Sequence, residues 1–328
     1  MLFARRTALI AACSAAALLA ASGVAQAQSA PAWPTKPIHL LVGFPGGSTP
    51  DIVARIVADP LSKALGQPIV VDNKAGASGN IAADQVAKAN DDHTLGVVIN
   101  GNLTSSKMLY ANLPYDPAKD FSYLSLLATS PLVLVASNNM PEGKAFVEAA
   151  AKSGQAWSYG SVGVGSVGHL GMELMESRIP GLKAVHVPYR GNPQIITDMV
   201  GGQVQLALIP PGLAMPQVQA GKLKAIGLTT AGRSALVPDV PPLSEIGVKD
   251  FSLEVWTALV GPANLSPAAQ KRITDALAQI MKTDEVRKKL YDQGWQAVGT
   301  SPEGMKVKVR DETAIMGKII STKGIKLN

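Results

Sequence analysis

Short apolar runs alternate with amphipathic segments through the first third of the chain. The runs at residues 38–42, 69–72 and 95–99 are typical of buried strands, and residues 50–65 and 81–89 have the spacing of amphipathic helices. This alternation indicates a parallel sheet with helices on both faces. Because ligands bind beyond the carboxyl ends of the strands in such sheets, we expect functional residues directly after residues 42 and 99.

A second series of the same kind follows. Strands are predicted at residues 157–161, 184–188, 204–209 and 224–229, and helices at 145–153, 169–178 and 194–201. Between the two series, the apolar run 125–136 is interrupted by Pro131, as expected for a segment that crosses between two lobes. A strand at 256–260 and helices at 267–283, 284–293 and 302–320 complete the pattern.

The pattern predicts an α/β fold of two lobes with a cleft between them, each lobe a mostly parallel sheet flanked by helices. Residues 28–128 and 253–328 are predicted to form the first lobe, and residues 129–252 the second.

The first loop (residues 43–51) joins a strand to a helix that is predicted to begin with Thr49 as its N-cap and Pro50 at its first position. Gly46 and Gly47 would let the backbone approach a ligand closely. A helix N-terminus favours an anion, because its N–H groups are free and its dipole end is positive. An ordinary tight turn is the alternative. A Walker A motif is excluded, since no Gly-Lys-Ser/Thr follows. Pro60 is expected to kink or split the helix.

The second loop (residues 161–169) repeats this design in the other lobe. It runs from a strand through Ser161, Gly163, Gly165 and Ser166 into a helix at His169. Its N–H groups and two hydroxyls could converge on an anion. Two opposed helix N-termini would hold a carboxylate without a fixed cation, with each charge-assisted hydrogen bond contributing about 1.5–3 kcal/mol.

The N-terminus has the features of a secretory signal peptide. Arg5-Arg6 precede an apolar stretch at residues 8–21 and an Ala25-Gln26-Ala27 cleavage site, so we expect residues 1–27 to be removed after Ala27. The single cysteine, Cys13, lies within this leader, and the mature chain therefore has no disulfide and no thiol nucleophile. A lipoprotein box at residues 10–13 is an alternative reading of the same stretch.

The charge balance favours small anions over nucleic acid. Loss of the two leader arginines lowers the formal net charge from +6 to +4, which is compatible with an anionic small molecule. No cluster of five or more Lys or Arg residues appears, so we expect no nucleic-acid partner.

The second loop also resembles two enzymatic motifs. Gly163, Gly165 and Gly168 have the spacing of a dinucleotide fingerprint, and Tyr189-Arg190 follows where an NADP-binding enzyme places its phosphate partner. This spacing lies mid-chain, and an exported protein meets little free NADP, so an exported oxidoreductase is kept as the alternative. A serine hydrolase is disfavoured, because Val164 stands where a nucleophile elbow around Ser166 needs glycine.

Two further side chains are candidates for ligand contact. His169 could either cap its helix or touch a ligand. Arg190 ends a predicted strand and, if it points into the cleft, suits a second carboxylate; a solvated surface cation is the alternative. The four histidines have no metal-ligand spacing, and no metal site is predicted.

Many short motifs along the chain occur in one recognisable order: Trp33-Pro34-Thr35-Lys36-Pro37-Ile38, Phe44-Pro45-Gly46-Gly47, Leu65-Gly66-Gln67-Pro68, Leu113-Pro114-Tyr115-Asp116-Pro117, residues 159–169, His186-Val187-Pro188-Tyr189-Arg190-Gly191, Gly201-Gly202-Gln203-Val204, Ala220-Gly221-Lys222-Leu223 and Pro238-Asp239-Val240-Pro241. Together they resemble the periplasmic substrate-binding proteins of tripartite tricarboxylate transporters, the Bug/TctC-type family.

The resemblance implies a type II-like Venus flytrap that closes on a small carboxylate and delivers it to a membrane permease. It implies a periplasmic, non-enzymatic protein without a cofactor, and we expect a monomer. A periplasmic carboxylate sensor remains an alternative with the same binding physics. The family's carboxylate pincer falls on both loops, and the predicted ligand-binding residues are Phe44, Pro45, Gly46, Gly47, Ser48, Thr49, Asn100, Asn102, Ser161, Gly163, Gly165, Ser166, His169, Tyr189, Arg190 and Pro210.

The sequence departs from the family pattern at Ser48, where glycine is usual, and at Pro50, where threonine is usual. It departs again at residues 209–211, Ile-Pro-Pro, where members often carry Asp-Asn. These changes predict a less acidic, more apolar far wall. We therefore expect a ligand with an apolar or aromatic body and, in a further hypothesis, a second carboxylate that reaches Arg190, rather than an amino acid.

Overall fold

The computed structural model describes residues 33–325, which form two β-sheets flanked by helices. The predicted leader and its cleavage site lie outside these residues. The strands are β1 Ile38–Val42, β2 Ile69–Asn73, β3 Thr94–Ile99, β4 Phe121–Pro131, β5 Val133–Ser137, β6 Ser158–Ser161, β7 Val185–Pro188, β8 Leu206–Ile209, β9 Leu223–Leu228, β10 Glu254–Pro262 and β11 Gln296–Ala297. The helices are α1 Thr49–Leu65, α2 Asn80–Ala87, α3 Asn100–Leu103, α4 Ser106–Leu109, α5 Gly143–Ser153, α6 Val167–Arg178, α7 Asn192–Val200, α8 Pro211–Gln219, α9 Pro267–Ile280, α10 Asp284–Asp292 and α11 Pro302–Lys323.

Both sheets are mixed. The first has the order β11-β4-β10-β3-β1-β2, with β1 parallel to β2 and β3 and with β10 antiparallel to both of its neighbours. The second has the order β7-β6-β8-β5-β9, with β6 parallel to its neighbours and β5 antiparallel to its own. The prediction of an α/β fold with two helix-flanked, mostly parallel sheets is confirmed: only β10 and β11 in the first sheet and β5 in the second run against the other strands. Strands β4, β5 and β10 adjoin connections between the sheets, and these lack the helical crossover that joins consecutive parallel strands.

Each sheet is covered by a hydrophobic layer on both faces. In β1, Leu40 packs into one buried cluster and Leu41 into another, because successive side chains of a strand point to opposite faces. In β5, Leu134 and Val135 likewise pack into different clusters on opposite faces of the strand. Burial on both faces explains why these strands are continuous apolar runs in the sequence.

Two segments connect the sheets and are hydrogen-bonded to each other. Strand β4 of the first sheet ends at Pro131 and β5 of the second begins at Val133, so the predicted crossing is confirmed. On the return path, the Thr229 hydroxyl donates to the Leu253 carbonyl at 2.7 Å and accepts the Leu132 N–H at 2.9 Å. One buried threonine thus links both crossings, which is the arrangement expected of a short hinge. The lobe boundaries at 128/129 and 252/253 stay predictions.

Helix α1 begins one residue earlier than expected. Ser48, not Thr49, is the N-cap, with φ −72° and ψ 161°, and Pro50 occupies the second helical position. The helix is continuous through Pro60 and is not split. Its buried face, which includes Val53, packs into the first sheet's core, and this tertiary packing outweighs the hydrogen bond that proline removes.

Helix α11 packs against both halves of the molecule. Its residues Met305 and Val309 belong to a core cluster of the first sheet, whereas Met316 and Ile319 belong to one of the second. Within residues 33–325, no helix is long and apolar enough to cross a membrane.

Candidate functional site

A cavity lies where the N-termini of α1 and α6 approach each other. Four polar residues line it, Ser48, Thr49, Ser166 and Asn192, together with Gly168 and the apolar residues Phe44, Pro50, Ile99, Leu132, Val162, Val167, Leu208, Pro210 and Val255. Its volume is about 40 Å³. A water molecule needs about 10–15 Å³ by the same measure, so the cavity has room for a carboxylate group but for little more at this separation of the lobes.

At the start of α1, the Ser48 hydroxyl faces this cavity without a partner. Ser48 is 2 % exposed, and no hydrogen-bonding group within residues 33–325 reaches its Oγ atom. The first-turn N–H groups of α1 also have no acceptor in their own helix. A buried hydroxyl that is left unpaired costs about 1–3 kcal/mol, which an acceptor in the cavity would recover.

At the start of α6, the N–H groups rather than the hydroxyl are available. Ser166 is the N-cap: its Oγ donates to the Gly163 carbonyl at 2.7 Å and accepts the His169 N–H at 3.3 Å. Val167 and Gly168, which follow it, line the cavity and carry first-turn N–H groups. Both helix dipoles therefore direct positive ends toward the same space.

The rest of the cavity wall is apolar. Leu132 and Val255 flank the two crossings between the sheets, and Leu208 and Pro210 lie at the end of β8. Among the lining residues, which all belong to the described part of the chain, none carries a formal charge. Such a site offers an anion hydrogen-bond donors but gives an ammonium group no acid to pair with.

Direct contacts join the two lobes around the cavity. Asn192 at the start of α7 donates from Nδ2 to Thr49 Oγ1 at 2.9 Å, and both residues are buried. The Ser105 hydroxyl donates to the Gly165 carbonyl at 2.6 Å. A Cβ on Gly191 would lie 3.3 Å from the Pro45 ring. The lobes are closed upon each other through both loops.

The second-loop glycines serve this closure. Gly163 has φ +112°, and a Cβ there would lie 2.1 Å from Ser78 Oγ in the first lobe. A Cβ on Gly165, at φ +82°, would come within 2.9 Å of Leu109. First-lobe atoms thus occupy the space that a pyrophosphate would need beside a dinucleotide fingerprint.

In the first loop, Gly46 and Gly47 are exposed, and an added Cβ would meet nothing within 4 Å at either residue. An added side chain would thus have room at both residues, and the expected close approach of these glycines to a ligand stays a prediction. Gly47 adopts φ +75° and donates its N–H to the Asp51 carboxylate at 2.9 Å, which shapes the turn. Pro45 is half-buried against Gly191, outside the cavity lining.

Asp51 stabilises the first loop from within. Burial alone would raise the pKa of its carboxyl, but hydrogen bonds from Arg55, Asn73 and Gly47 outweigh this and hold the pKa below its usual value. The charged carboxylate faces its own loop, with Arg55 Nε at 3.0 Å and Asn73 Nδ2 at 2.9 Å. It does not line the cavity.

His169 and His186 pack against each other beneath the second loop, with ring centroids 4.3 Å apart and ring planes tilted by 39°. His169 Nδ1 accepts the Gly165 N–H at 3.3 Å, and His186 Nε2 lies 2.7 Å from Ser161 Oγ. Burial lowers the pKa of His169 to about 4, and burial together with His169 lowers the pKa of His186 to about 4. Both rings are neutral at pH 7. Neither His169 nor Ser161 lines the cavity, because each supports the loop's backbone.

Asn100 and Asn102 follow a strand as predicted, but their side chains hold other elements together. Asn100 Nδ2 donates to Glu312 Oε1 of α11 at 2.6 Å and to the Glu254 carbonyl at 3.2 Å. Asn102 Nδ2 donates to Asn80 Oδ1 at 2.8 Å. The structure places both outside the cavity lining, because the short helix α3 turns them into the first lobe's interior.

Tyr189 and Arg190 also lie outside the lining. The Tyr189 hydroxyl donates to Asp198 at 2.8 Å, and Arg190 is exposed. Of the predicted site residues, the cavity therefore brings together Phe44, Ser48, Thr49, Ser166 and Pro210.

Sequence reasoning missed Asn192 and the apolar walls at Ile99 of β3, at Leu132 between β4 and β5, and at Val255 of β10. Asn192-Pro193 opens α7 just as Thr49-Pro50 opens α1, and this repeated X-Pro helix start was an available signal. Ile99 and Val255 belong to strands whose apolar sequence predicts only a buried core and gives no sign of a cavity wall.

Comparison with known proteins agrees with this geometry. The model of the tripartite tricarboxylate transporter family receptor, TctC, matches residues 53–325. The chain belongs to this receptor family. A UPF0065 protein of Agrobacterium vitis, from the TAR-I ttuE-ttuC' intergenic region, is 32 % identical over 307 residues, which are 92 % of this chain and 88 % of that protein.

Solved structures of similar sequence share the fold. Rpa4515 of R. palustris, solved with adipate, has a TM-score of 0.86 and 31 % identity over 90 % of this chain and 100 % of that one. MatC of Rhodopseudomonas palustris, with bound malate, has a TM-score of 0.82 and 28 % identity over 88 % of this chain and 100 % of that one. The two-lobed binding-protein fold and the family resemblance predicted from the sequence are confirmed.

Proposed function

We propose that this protein is a periplasmic solute-binding protein that captures a small carboxylate with an apolar body between its lobes, for delivery to a tripartite tricarboxylate-type permease. The observation that carries the proposal is the buried Ser48 hydroxyl, which has no hydrogen-bond partner among residues 33–325 and lies in a cavity between two helix N-termini. Similar proteins that were solved with adipate and with malate support a carboxylate as the ligand class.

The carboxylate end is assigned to the α1 and α6 termini. Ser48 Oγ and the N–H groups of Val167 and Gly168 are donors, and no cation lines the described cavity to compete with them. Charge-assisted hydrogen bonds of this kind contribute about 1.5–3 kcal/mol each when they are shielded from water. Donors from both lobes also make the closed form the tighter-binding one.

The ligand body is assigned to the apolar wall formed by Leu132, Leu208, Pro210 and Val255. The position of Arg190 gives no support for a second carboxylate site, since this residue is exposed and outside the lining. We therefore favour a monocarboxylate over a dicarboxylate or an amino acid. The volume of about 40 Å³ requires the lobes to separate at the Thr229 hinge to admit a ligand body.

The protein's other predicted properties rest on the family. We propose a monomer without catalytic activity that is exported with cleavage after Ala27. The NADP-binding alternative finds no support at Gly163 and Gly165, which are packed against the first lobe.

Thermal unfolding of residues 28–328 against a ligand panel tests the proposal. The panel contains acetate, butanoate, benzoate, adipate, malate, aspartate and NADP. A ligand at a hundred times its Kd should add about 2.7 kcal/mol to the free energy of unfolding. We expect the largest shifts with butanoate or benzoate, and a much smaller shift for the same ligand with Ser48→Ala. A shift with NADP alone, or equal carboxylate shifts in Ser48→Ala, would contradict the proposal.

A further inference from the structure

The hydroxyl groups at the two loops differ in where their single protons go. Ser166 donates its proton to the Gly163 carbonyl at 2.7 Å. The Ser161 hydroxyl is engaged with His186 Nε2 at 2.7 Å and with Gly163. Neither second-loop hydroxyl is free to donate into the cavity.

Thr49 is in the opposite condition. Its Oγ1 accepts a hydrogen bond from Asn192 Nδ2, and both side chains are buried and line the cavity. A hydroxyl oxygen that already accepts an N–H keeps its own proton for another acceptor. The donor Asn192 comes from the second lobe, so this arrangement exists only when the lobes are together.

We propose that Asn192 is a positioning residue that fixes the Thr49 hydroxyl as a hydrogen-bond donor to the ligand carboxylate when the lobes close. This rests on the proposed carboxylate function and deepens it. Asn192 acts through its hydrogen bond to Thr49 and not by selecting the ligand itself. Because this bond forms only between closed lobes, the preference for a carboxylate over a neutral group of the same shape depends on closure. In the open form the Thr49 hydroxyl rotates freely and either donates or accepts.

Acetate and acetamide separate these roles, because they have nearly the same shape and differ in charge and in the amide's donor. We would measure both affinities by titrating the backbone amide resonances of the ¹⁵N-labelled mature chain. For the wild type we expect saturable acetate binding with at least about a tenfold preference over acetamide, equivalent to one charge-assisted hydrogen bond.

Asn192→Ala should lower the acetate-to-acetamide preference about fivefold, because the Thr49 hydroxyl is then free to accept from the amide. Asn192→Asp should lower the acetate-to-acetamide preference further, because the introduced carboxylate would accept the hydrogen bond of the Thr49 hydroxyl and leave no donor for acetate. Ser105→Ala is the matched control: it removes another lobe-to-lobe hydrogen bond, to Gly165, without touching Thr49. It should weaken both ligands by a similar factor and leave their ratio unchanged.

Thr49→Val completes a double-mutant cycle. It should reduce the preference by itself, and adding Asn192→Ala should then change the ratio no further. If Asn192→Ala leaves the ratio unchanged or raises it while acetate still binds, the positioning role is overturned and the proposed function stands. If the wild type binds neither acetate nor butanoate saturably, the carboxylate function is overturned and the positioning role with it; if it binds butanoate alone, the same ratio is measured with butanoate and butanamide.

Discussion

The first and second loops look alike in sequence, but the structure uses them differently. In the first loop Gly46 and Gly47 are exposed, and the Ser48 hydroxyl at the cavity has no hydrogen-bond partner among residues 33–325. In the second loop Gly163 and Gly165 pack against the opposite lobe, and the hydroxyls are hydrogen-bonded to their own backbone and to His186. The first loop therefore supplies side-chain donors, whereas the second supplies backbone donors and the surface on which the lobes close.

The largest expected effect comes from disrupting the contact between Gly163 and the first lobe, on which closure depends. In Gly163→Val the new side chain would meet Ser78 at a residue with φ +112°, so closure should fail and carboxylate affinity should fall about 100-fold or more. Gly46→Val is the control, since a Cβ there meets nothing within 4 Å. Isothermal titration of both variants with the best carboxylate checks this. Equal losses would contradict the assigned division between the loops.

The next effect is a difference between the two loops in how their contribution to the free energy of unfolding depends on pH. The folded-state pKa of His169 and of His186, about 4, lies below the ordinary value of 6.5. Stability from keeping these rings neutral is complete above pH 6.5, and it is lost as the pH falls through about 4. Each lowered pKa taken alone corresponds to roughly 3 kcal/mol, and the loss is read as a falling Tm between pH 7 and pH 4.

Replacement of both histidines by glutamine should flatten this profile. In the first loop, Asp51 has a pKa below the ordinary 3.8, so the stability that it contributes is present above pH 3.8 and is lost only at lower pH. Of the two loops, only the second is therefore expected to lose stability between pH 7 and pH 4, and His93, whose pKa burial also lowers, is common to the wild type and the variant. An unchanged slope in the double variant would assign the acid sensitivity to other groups.

A smaller effect distinguishes the two serines that begin the helices. Ser48→Ala should lower carboxylate affinity about tenfold without lowering the free energy of unfolding, because the unliganded hydroxyl has no described partner to lose and its removal relieves an unpaired buried group. Ser166→Ala should lower the free energy of unfolding by about 1 kcal/mol, because it removes an N-cap, and it should change affinity less. Denaturant unfolding and titration calorimetry of both variants measure this contrast. The reverse pattern would exchange the assigned roles.

The smallest expected effect on affinity is at Arg190, which lies outside the cavity lining. Arg190→Ala should change the affinity for a monocarboxylate by less than about twofold, because exposed charges outside a cavity contribute little. Titration with butanoate and adipate checks it. A selective loss of adipate binding would restore the hypothesis of a second carboxylate at Arg190.

The strands and the crossing at Pro131 could be predicted because they depend on local periodicity. The antiparallel pairing of β10 could not, since it depends on how the chain returns from the other sheet. The position of Ser48 in a strand–turn–helix unit was readable in the same local way. The role of Asn100 was not, because its partner Glu312 lies 212 residues away. Whether a serine hydroxyl has a hydrogen-bond partner depends on interatomic distances of a few ångströms, which the spacing of residues in the sequence does not specify.

A crystal structure of the mature chain with its best monocarboxylate tests the central claim most directly. We predict one carboxylate oxygen within hydrogen-bond distance of Ser48 Oγ, the other at the N–H groups of Val167 and Gly168, and the ligand body against Leu208 and Pro210. A ligand whose carboxylate instead pairs with Arg190, or lies outside the space between α1 and α6, would contradict the assignment.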